Sequence, residues 1–345
     1  MQQTVGRSGG GRPRGRVRDG WPSLLFAVLV IGAFIFAFSP RSLPDFPETQ
    51  LQAHQLLING LARVEGRYLA GGAKGRILIN DAPPGPWRNA EVGNTEGSPV
   101  TRIVPMGGQR VFAVGHNLMV LRSEDAGESW QNVHIDLDTP EPLLDIAQTA
   151  DGTRLVAIGG FGQYLFSDDG GGTWQRRSVD AFQGSHLNDL LVADSGTMLI
   201  AAERGLLLRS RDNGDSWSPL SFEYPGSMFG GAHLGGSAWL VFGMRGHAFL
   251  SRDDGDSWEA LDTGIEDSLF DGARLDDGRV VLVGAMQTVL VTEPGSWSFT
   301  RAIPTKQGTF STVLPLSGDR VLVGGEPGAH VVDLADGSIT PAGGN

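Results

Sequence analysis

SRDNGDSW, Ser210 to Trp217, returns down the chain in nearly the same letters: SEDAGESW at Ser123 to Trp130, SDDGGGTW at Ser167 to Trp174 and SRDDGDSW at Ser251 to Trp258. The shared pattern is Ser-x-Asp-x-Gly-x-Ser/Thr-Trp. NDAPPGPW (Asn80 to Trp87) keeps the Asp, the Gly and the Trp, and TEPGSW (Thr292 to Trp297) keeps little beyond Gly295 and Trp297. The tryptophans fall at 87, 130, 174, 217, 258 and 297, in steps of 43, 44, 43, 41 and 39 residues. A period near forty with one aromatic per unit is the mark of a blade array. The box itself has the chemistry of a turn. Its carboxylate accepts hydrogen bonds from backbone N–H groups of the same turn, its Gly supplies a positive φ, and its Trp opens the next strand with a large apolar face. A calcium loop would need a distal bidentate Glu, which no copy carries at the required offset. Asp125, Trp130, Asp169, Trp174, Asp212, Trp217, Asp253 and Trp258 are therefore expected to be structural.

Outward from the boxes, short apolar and β-branched runs end at small residues: Arg110 to Gly115, Arg154 to Gly159, Thr197 to Ala202, Arg279 to Gly284 and Arg320 to Gly324. Such runs read as buried strands. Each follows another strand and a turn, often marked by Asp-Gly, as at Asp151-Gly152. A third strand leads into the box and a fourth leaves it at the Trp. Seven units begin near residues 56, 99, 143, 186, 228, 269 and 310, the last without box or Trp. The expected fold is all-β: a seven-bladed β-propeller of four-stranded antiparallel blades over 56–345. With no cysteine in the chain, disulfides and thiolate chemistry are excluded.

The N-terminus sets the expected address. Residues 20–40 carry no charge, and Leu24 to Phe38 is unbroken apolar sequence behind Arg7, Arg12, Arg14, Arg16 and Arg18. This reads as a transmembrane signal-anchor at 20–40 after a cytoplasmic Arg/Gly-rich tail at 1–19, with a linker at 41–55. A cleaved signal peptide is the rival reading. The anchor places the protein in a bacterial inner membrane, N-terminus in the cytoplasm and propeller in the periplasm. Past residue 19 the chain holds 22 basic against 38 acidic residues, which argues against nucleic acid as a partner.

In four-stranded blades, the turns between strands one and two share a rim with the boxes, and that rim reads as acidic: Asp151, Asp194, Asp276, Asp277 and Asp319. The opposite rim takes the turns between strands two and three and the links between blades. It collects Lys74, Arg76, His116, Phe161, His186, Arg204, Phe229, Arg245, His247 and His330. Aromatic and basic residues together are the mix of a protein-binding face, so this rim is the candidate partner-binding surface. No catalytic, metal or cofactor site is expected.

The Ser-x-Asp-x-Gly-x-Ser/Thr-Trp repeat resembles the Asp-box, or BNR repeat, of sialidases and many other β-propellers. With its Val-x-Val-Gly second strands, the chain resembles the photosystem II assembly/stability factor family over nearly all of residues 50–340. The resemblance implies a seven-bladed accessory that binds membrane-protein intermediates through an arginine-rich patch, for which Arg76, Arg204 and Arg245 are counterparts by rim position. It further implies a non-photosynthetic bacterial member whose partner is an exporter of the resistance-nodulation-division type. The alternative is an Asp-box glycosidase. That would require an arginine triad, a Tyr nucleophile with a Glu partner and an Asp acid/base. Only Tyr68, Tyr164 and Tyr224 are on offer, and Arg301-Ala-Ile-Pro304 lies after the last box rather than before the first.

Overall fold

In the computed structural model the described residues are 21–38, 52–304 and 306–343. They fall into two compact units, one within Met1–Thr49 and one spanning Gln50–Asn345. The first contains the helix Trp21–Phe38, free of charge over its 18 residues. Among the described residues no helix is long and apolar enough to cross a membrane. At about 1.5 Å per residue this one of 18 residues extends about 27 Å, a little less than a hydrocarbon core of about 30 Å. The tail at 1–19 and most of the linker lie outside the described residues.

The second unit is a ring of seven sheets. The innermost strands are Ile58–Val64, Val100–Pro105, Leu143–Gln148, Leu187–Val192, Met228–Gly235, Leu269–Arg274 and Phe310–Pro315. Each packs on the next, and the last returns to the first. Every blade is an antiparallel meander of contiguous residues. Blade 2 alone gains a fifth strand, Glu91–Val92, which runs parallel to the start of its outermost strand. In most blades the box Trp stands just before the fourth strand instead of opening it, as with Gln175–Arg176 after Trp174 and Glu259–Leu261 after Trp258.

The second strands, such as Val111–Gly115 and Leu155–Gly159, are buried at every position. Because successive side chains of a strand point to opposite faces, alternate residues serve different interfaces. Leu155 and Ala157 pack toward blade 2, while Val156 and Ile158 pack toward blade 4. The hydrophobic core is thus divided into clusters lying between neighbouring blades. The box tryptophans sit in these clusters on the side of the preceding blade: Trp130 packs with Leu69 and Ile77, and Trp217 with Tyr164 and Phe166.

Among the described residues closure uses no exchanged strand. Blade 7 is built wholly from residues between Phe310 and Pro341. It meets blade 1 through a shared cluster that includes Ile58, Trp87, Leu322 and Ala342. The Trp87 indole donates to the Ala342 carbonyl at 2.7 Å, and the Ser311 hydroxyl to the Ile58 carbonyl at 3.0 Å.

Candidate functional site

A β-bulge interrupts the innermost strand of every blade near its start. The bulge turns one side chain toward the next blade. Asn59 donates to the Val100 carbonyl at 2.9 Å, Thr101 to that of Leu143 at 2.6 Å and Asn188 to that of Met228 at 2.8 Å. The residue after the bulge is Gly60, Arg102, Asp145, Asp189, Gly230, Asp271 or Thr312, in blade order.

Four of these are charged, and they meet inside the ring. The Arg102 guanidinium lies 3.5 Å from Asp145, 3.4 Å from Asp189 and 3.4 Å from Asp271. It thereby ties blade 2 to blades 3, 4 and 6. Each carboxylate spends its other oxygen on the following blade, accepting the N–H of Leu190 at 2.8 Å, Gly231 at 2.8 Å and Val313 at 2.9 Å respectively. Burial opposes charge on Arg102, but the carboxylates, Asp271 foremost, keep it firmly protonated. Burial drives the Asp189 carboxyl well above the usual range; Arg102 opposes this and the Asp145 charge adds to it. With its donors and acceptors turned on one another, this cluster is a keystone more than a reaction centre. The sequence reading missed it. Its signal was a charged residue at the same position of several otherwise apolar inner strands.

The boxes are turn locks. In blade 4 the Asp212 carboxylate accepts the Ser216 N–H at 2.9 Å and the hydroxyls of Ser210 and Ser216 at 2.8 and 2.5 Å, and Ser210 Oγ accepts the Gly214 N–H at 3.0 Å. Asp125, Asp169 and Asp253 repeat the pattern. The hydroxyl and N–H of Ser257 pull Asp253 down to about 2. Asp169 is lowered likewise, first by the Thr173 N–H. Among the described residues no His/Cys/Asp/Glu group could hold a metal ion.

The box face is not simply acidic. Its carboxylates are met by arginines that bridge neighbouring blades. Arg154 binds Asp168 and, in blade 4, Asp215, both at 2.6 Å. Arg209 reaches Asp256 of blade 5 at 2.7 Å, and Arg279 joins Asp277 to Asp319 of blade 7. The expected segregation of basic residues to the opposite rim is thus corrected: arginines stand on both faces, and pairing is what differs. Lys74, Arg76, Arg204 and Arg245 make no ion pair among the described residues.

The rim turns share a local conformation. Lys74, Asn117, Phe161, Arg204, Arg245 and Met286 occupy the left-handed region, with φ between 54° and 59°. This is an uncommon place for long or bulky side chains, and such strain concentrates at functional positions. It is held by close approach behind the tip. Gly205, at φ 70°, would place a Cβ 2.2 Å from the Tyr224 carbonyl oxygen. Phe161 is left 62% exposed. The rim residues assemble in two groups. Phe161 packs at a tilt against His186, ring centroids 4.5 Å apart, beside Arg204, which donates to Ser185. In blade 5, His247 stacks on Tyr224 at 4.3 Å next to exposed Arg245. Lys74 and Arg76 are exposed in blade 1, and His116 and His330 are half-buried in blades 2 and 7. Phe229 differs. It is the bulge residue of an innermost strand, half-buried with its ring 5.2 Å from Phe270 of the next blade.

None of the three tyrosines has the setting of a sialidase nucleophile. Tyr164 is fully buried, donates to the Gly214 carbonyl at 2.7 Å and is pushed up to about 12 by burial. Tyr68 lies under Arg63 and Tyr224 under His247.

The family model described as photosynthesis system II assembly factor YCF48 matches residues 123–302. The structure of YCF48 from Cyanidioschyzon merolae superposes with a TM-score of 0.64 at 14% identity, covering 82% of this chain and 96% of that one. A structure of YCF48 bound to D1 peptide gives 0.64 at 17% identity, covering 84% and 98%. PorZ, a surface component of the type-IX secretion system of Porphyromonas gingivalis, gives 0.60 at 16% identity over 83% of this chain, which spans 38% of PorZ. At these identities the structures speak for the fold alone. No curated protein sequence matches the chain.

Proposed function

Because the chain belongs to the photosynthesis system II assembly factor YCF48 family, we propose that it is a non-enzymatic binding and assembly accessory whose partner is a membrane protein. The observation that carries this reading is the rim: unpaired cations and an exposed Phe161 held out on strained left-handed turns. A relative bound to a peptide of D1 supports the partner class. An exporter of the resistance-nodulation-division type is the specific partner the sequence resemblance suggests. The docking residues are Lys74, Arg76, Phe161, His186, Arg204, Arg245 and His247, with His116 and His330 at the flanks. Arginine and aromatic anchors dominate such interfaces at about 2 kcal/mol or more each on truncation. Phe161→Ala with Arg245→Ala is therefore expected to weaken capture of the co-purifying membrane protein by roughly a thousandfold, with the melting temperature unchanged. Loss of capture on charge reversal at Asp151 and Asp277, with the rim pair harmless, would place the docking face on the box side.

We also propose that Trp21–Phe38 and its uncharged flanks anchor the chain in the inner membrane, with the propeller in the periplasm. The arginine cluster ahead of the helix supports that orientation. A periplasm-dependent reporter fused after Asn345 should be active, on a protein that keeps its first residues. A soluble product starting near Arg41 would remove the anchor and leave a secreted propeller.

A further inference from the structure

The outer edge of blade 2 shows what this fold can accept. Leaving Trp87, the chain runs three residues to Ala90, whose N–H bonds the Ile77 carbonyl at 2.9 Å. It then lies along the next blade: Glu91 pairs with Ser129 and Val92 with Trp130, in parallel. The ladder is made by Glu91 N–H on the Glu128 carbonyl and Gly93 N–H on the Trp130 carbonyl, each at 2.9 Å.

Blade 4 starts the same way and ends differently. Leu220, three residues after Trp217, bonds the Leu207 carbonyl at 2.9 Å. Ser221 and Phe222, the counterparts of Glu91 and Val92, pair with no strand. The carbonyls of Asp256 and Trp258, which correspond to those of Glu128 and Trp130, accept no hydrogen bond among the described residues. Between the passing link and this open edge lies a cavity of about 430 Å³, lined by Phe222, Tyr224, Phe249 and Trp258. Its mouth carries carboxylates, Asp256 and Glu223 within the lining and Glu259 on the edge strand. Asp256 is paired with Arg209 and Glu259 with Arg252, whereas Glu223 has no ion-pair partner among the described residues.

We propose that the outer edge of blade 5 is a strand-addition site for an extended segment of a partner protein, entering parallel to Trp258–Leu261. The partner's N–H groups take the free carbonyls as Glu91 and Gly93 take theirs in blade 2. An added strand turns alternate side chains inward and outward. The cavity sets aromatic rings beside the carboxylates of Glu223 and Asp256, and Glu259 stands on the edge strand, so the segment that fits combines apolar with basic residues. This site adjoins the rim at Tyr224, which stacks on His247, but its ladder lies on the outer edge strand and stands whether or not the rim docks a partner.

The probe is a fluorescein-labelled peptide of alternating Val and Lys, titrated against the full chain in detergent and followed by polarisation. Binding is expected, and N-methylation of alternate peptide nitrogens, which removes the ladder donors, should abolish it. Glu223→Lys should weaken the Val–Lys peptide by about tenfold while improving a Val–Glu peptide; Glu223 is exposed, so unchanged near-ultraviolet circular dichroism is the check on folding. The proposal fails if none of the peptides binds, if the N-methylated peptide binds as well as its parent, or if Arg204→Ala with Arg245→Ala removes binding while Glu223→Lys does not. Concentration-dependent dimers that Glu223→Lys dissolves would assign the edge to a second copy of this chain and overturn the choice of partner.

Discussion

Arg102→Leu should be among the most damaging single substitutions in the propeller. It strands three carboxylates in the ring interior, where the side chains of Asp145 and Asp189 are only 5% exposed. Removing one partner of a buried ion pair costs about 3–5 kcal/mol, and because Arg102 itself keeps 30% of its side-chain exposure, the lower end of that range applies. Denaturant unfolding of the purified protein gives the value. The deficit should also depend on pH in a defined sense. Burial already raises the Asp189 carboxyl and Arg102 opposes the rise, so without the guanidinium it stands further above its unfolded value. A raised carboxyl favours the folded state at low pH and loses that favour as pH climbs through the raised value. The variant should therefore recover toward the parent as pH falls from 8 to 5. Asparagine at 145, 189 and 271 in the same variant should restore much of the loss at neutral pH. An Arg102→Leu protein that unfolds at the parent's denaturant concentration would show that the cluster holds nothing together.

Trp217→Ala is expected to cost about 3–5 kcal/mol, as for other buried large side chains cut to alanine, and to do so by loosening the contact between blades 3 and 4. Asp212→Ala in the same box should cost roughly 1–2 kcal/mol, the range for leaving turn donors unpaired. The indoles should not respond alike to phenylalanine. Trp130 donates to the Gly127 carbonyl at 3.0 Å, whereas the counterpart carbonyl of Gly214 is taken by Tyr164 and the Trp217 N–H is left without a partner. Trp130→Phe should therefore cost about 1 kcal/mol more than Trp217→Phe, measured as a difference in unfolding free energy. Normal stability with lost partner capture in Asp212→Ala would instead mark the box as a binding site.

The blades were legible because the signals that define them are local. A box of eight letters and a buried run with Asp-Gly turns can be read within one unit. The starts expected near 56, 99, 143, 186, 228, 269 and 310 fall within two residues of the observed inner strands. What escaped was everything set by how units meet. Arg102 is a lone charge in the strand VTRIVP, and its partners Asp189 and Asp271 lie 87 and 169 residues away. Arg154 looked like the start of a buried strand, yet its guanidinium serves the next blade's box. Assigning charge by turn counted the carboxylates of that face and passed over the arginines at strand ends. Phe229 follows an inter-blade link, and the bulge after Met228 that turns it toward Phe270 of the next blade has no signal within its own unit. For the tryptophans, spacing gave the period but not the direction, which is back toward the blade before.

Because no blade borrows a strand among the described residues, order of appearance matters in a way it does not for rings fastened by a shared sheet. Each blade is complete once its own forty-odd residues are available, and each box Trp from Trp130 onward finds its cluster partly built by the blade already made. A chain that emerges N-terminus first can therefore grow its interfaces one at a time, as repeat proteins do. The keystone is completed late: Arg102, Asp145 and Asp189 come with blades 2 to 4, but Asp271 arrives only with blade 6. The contact left for the end is that between Trp87 and Ala342, the first and last pieces of the ring. Until it forms, the face of blade 1 that carries Ile58 and Leu78 lacks its cover. The stage most open to aggregation is thus the interval before the final blade is delivered.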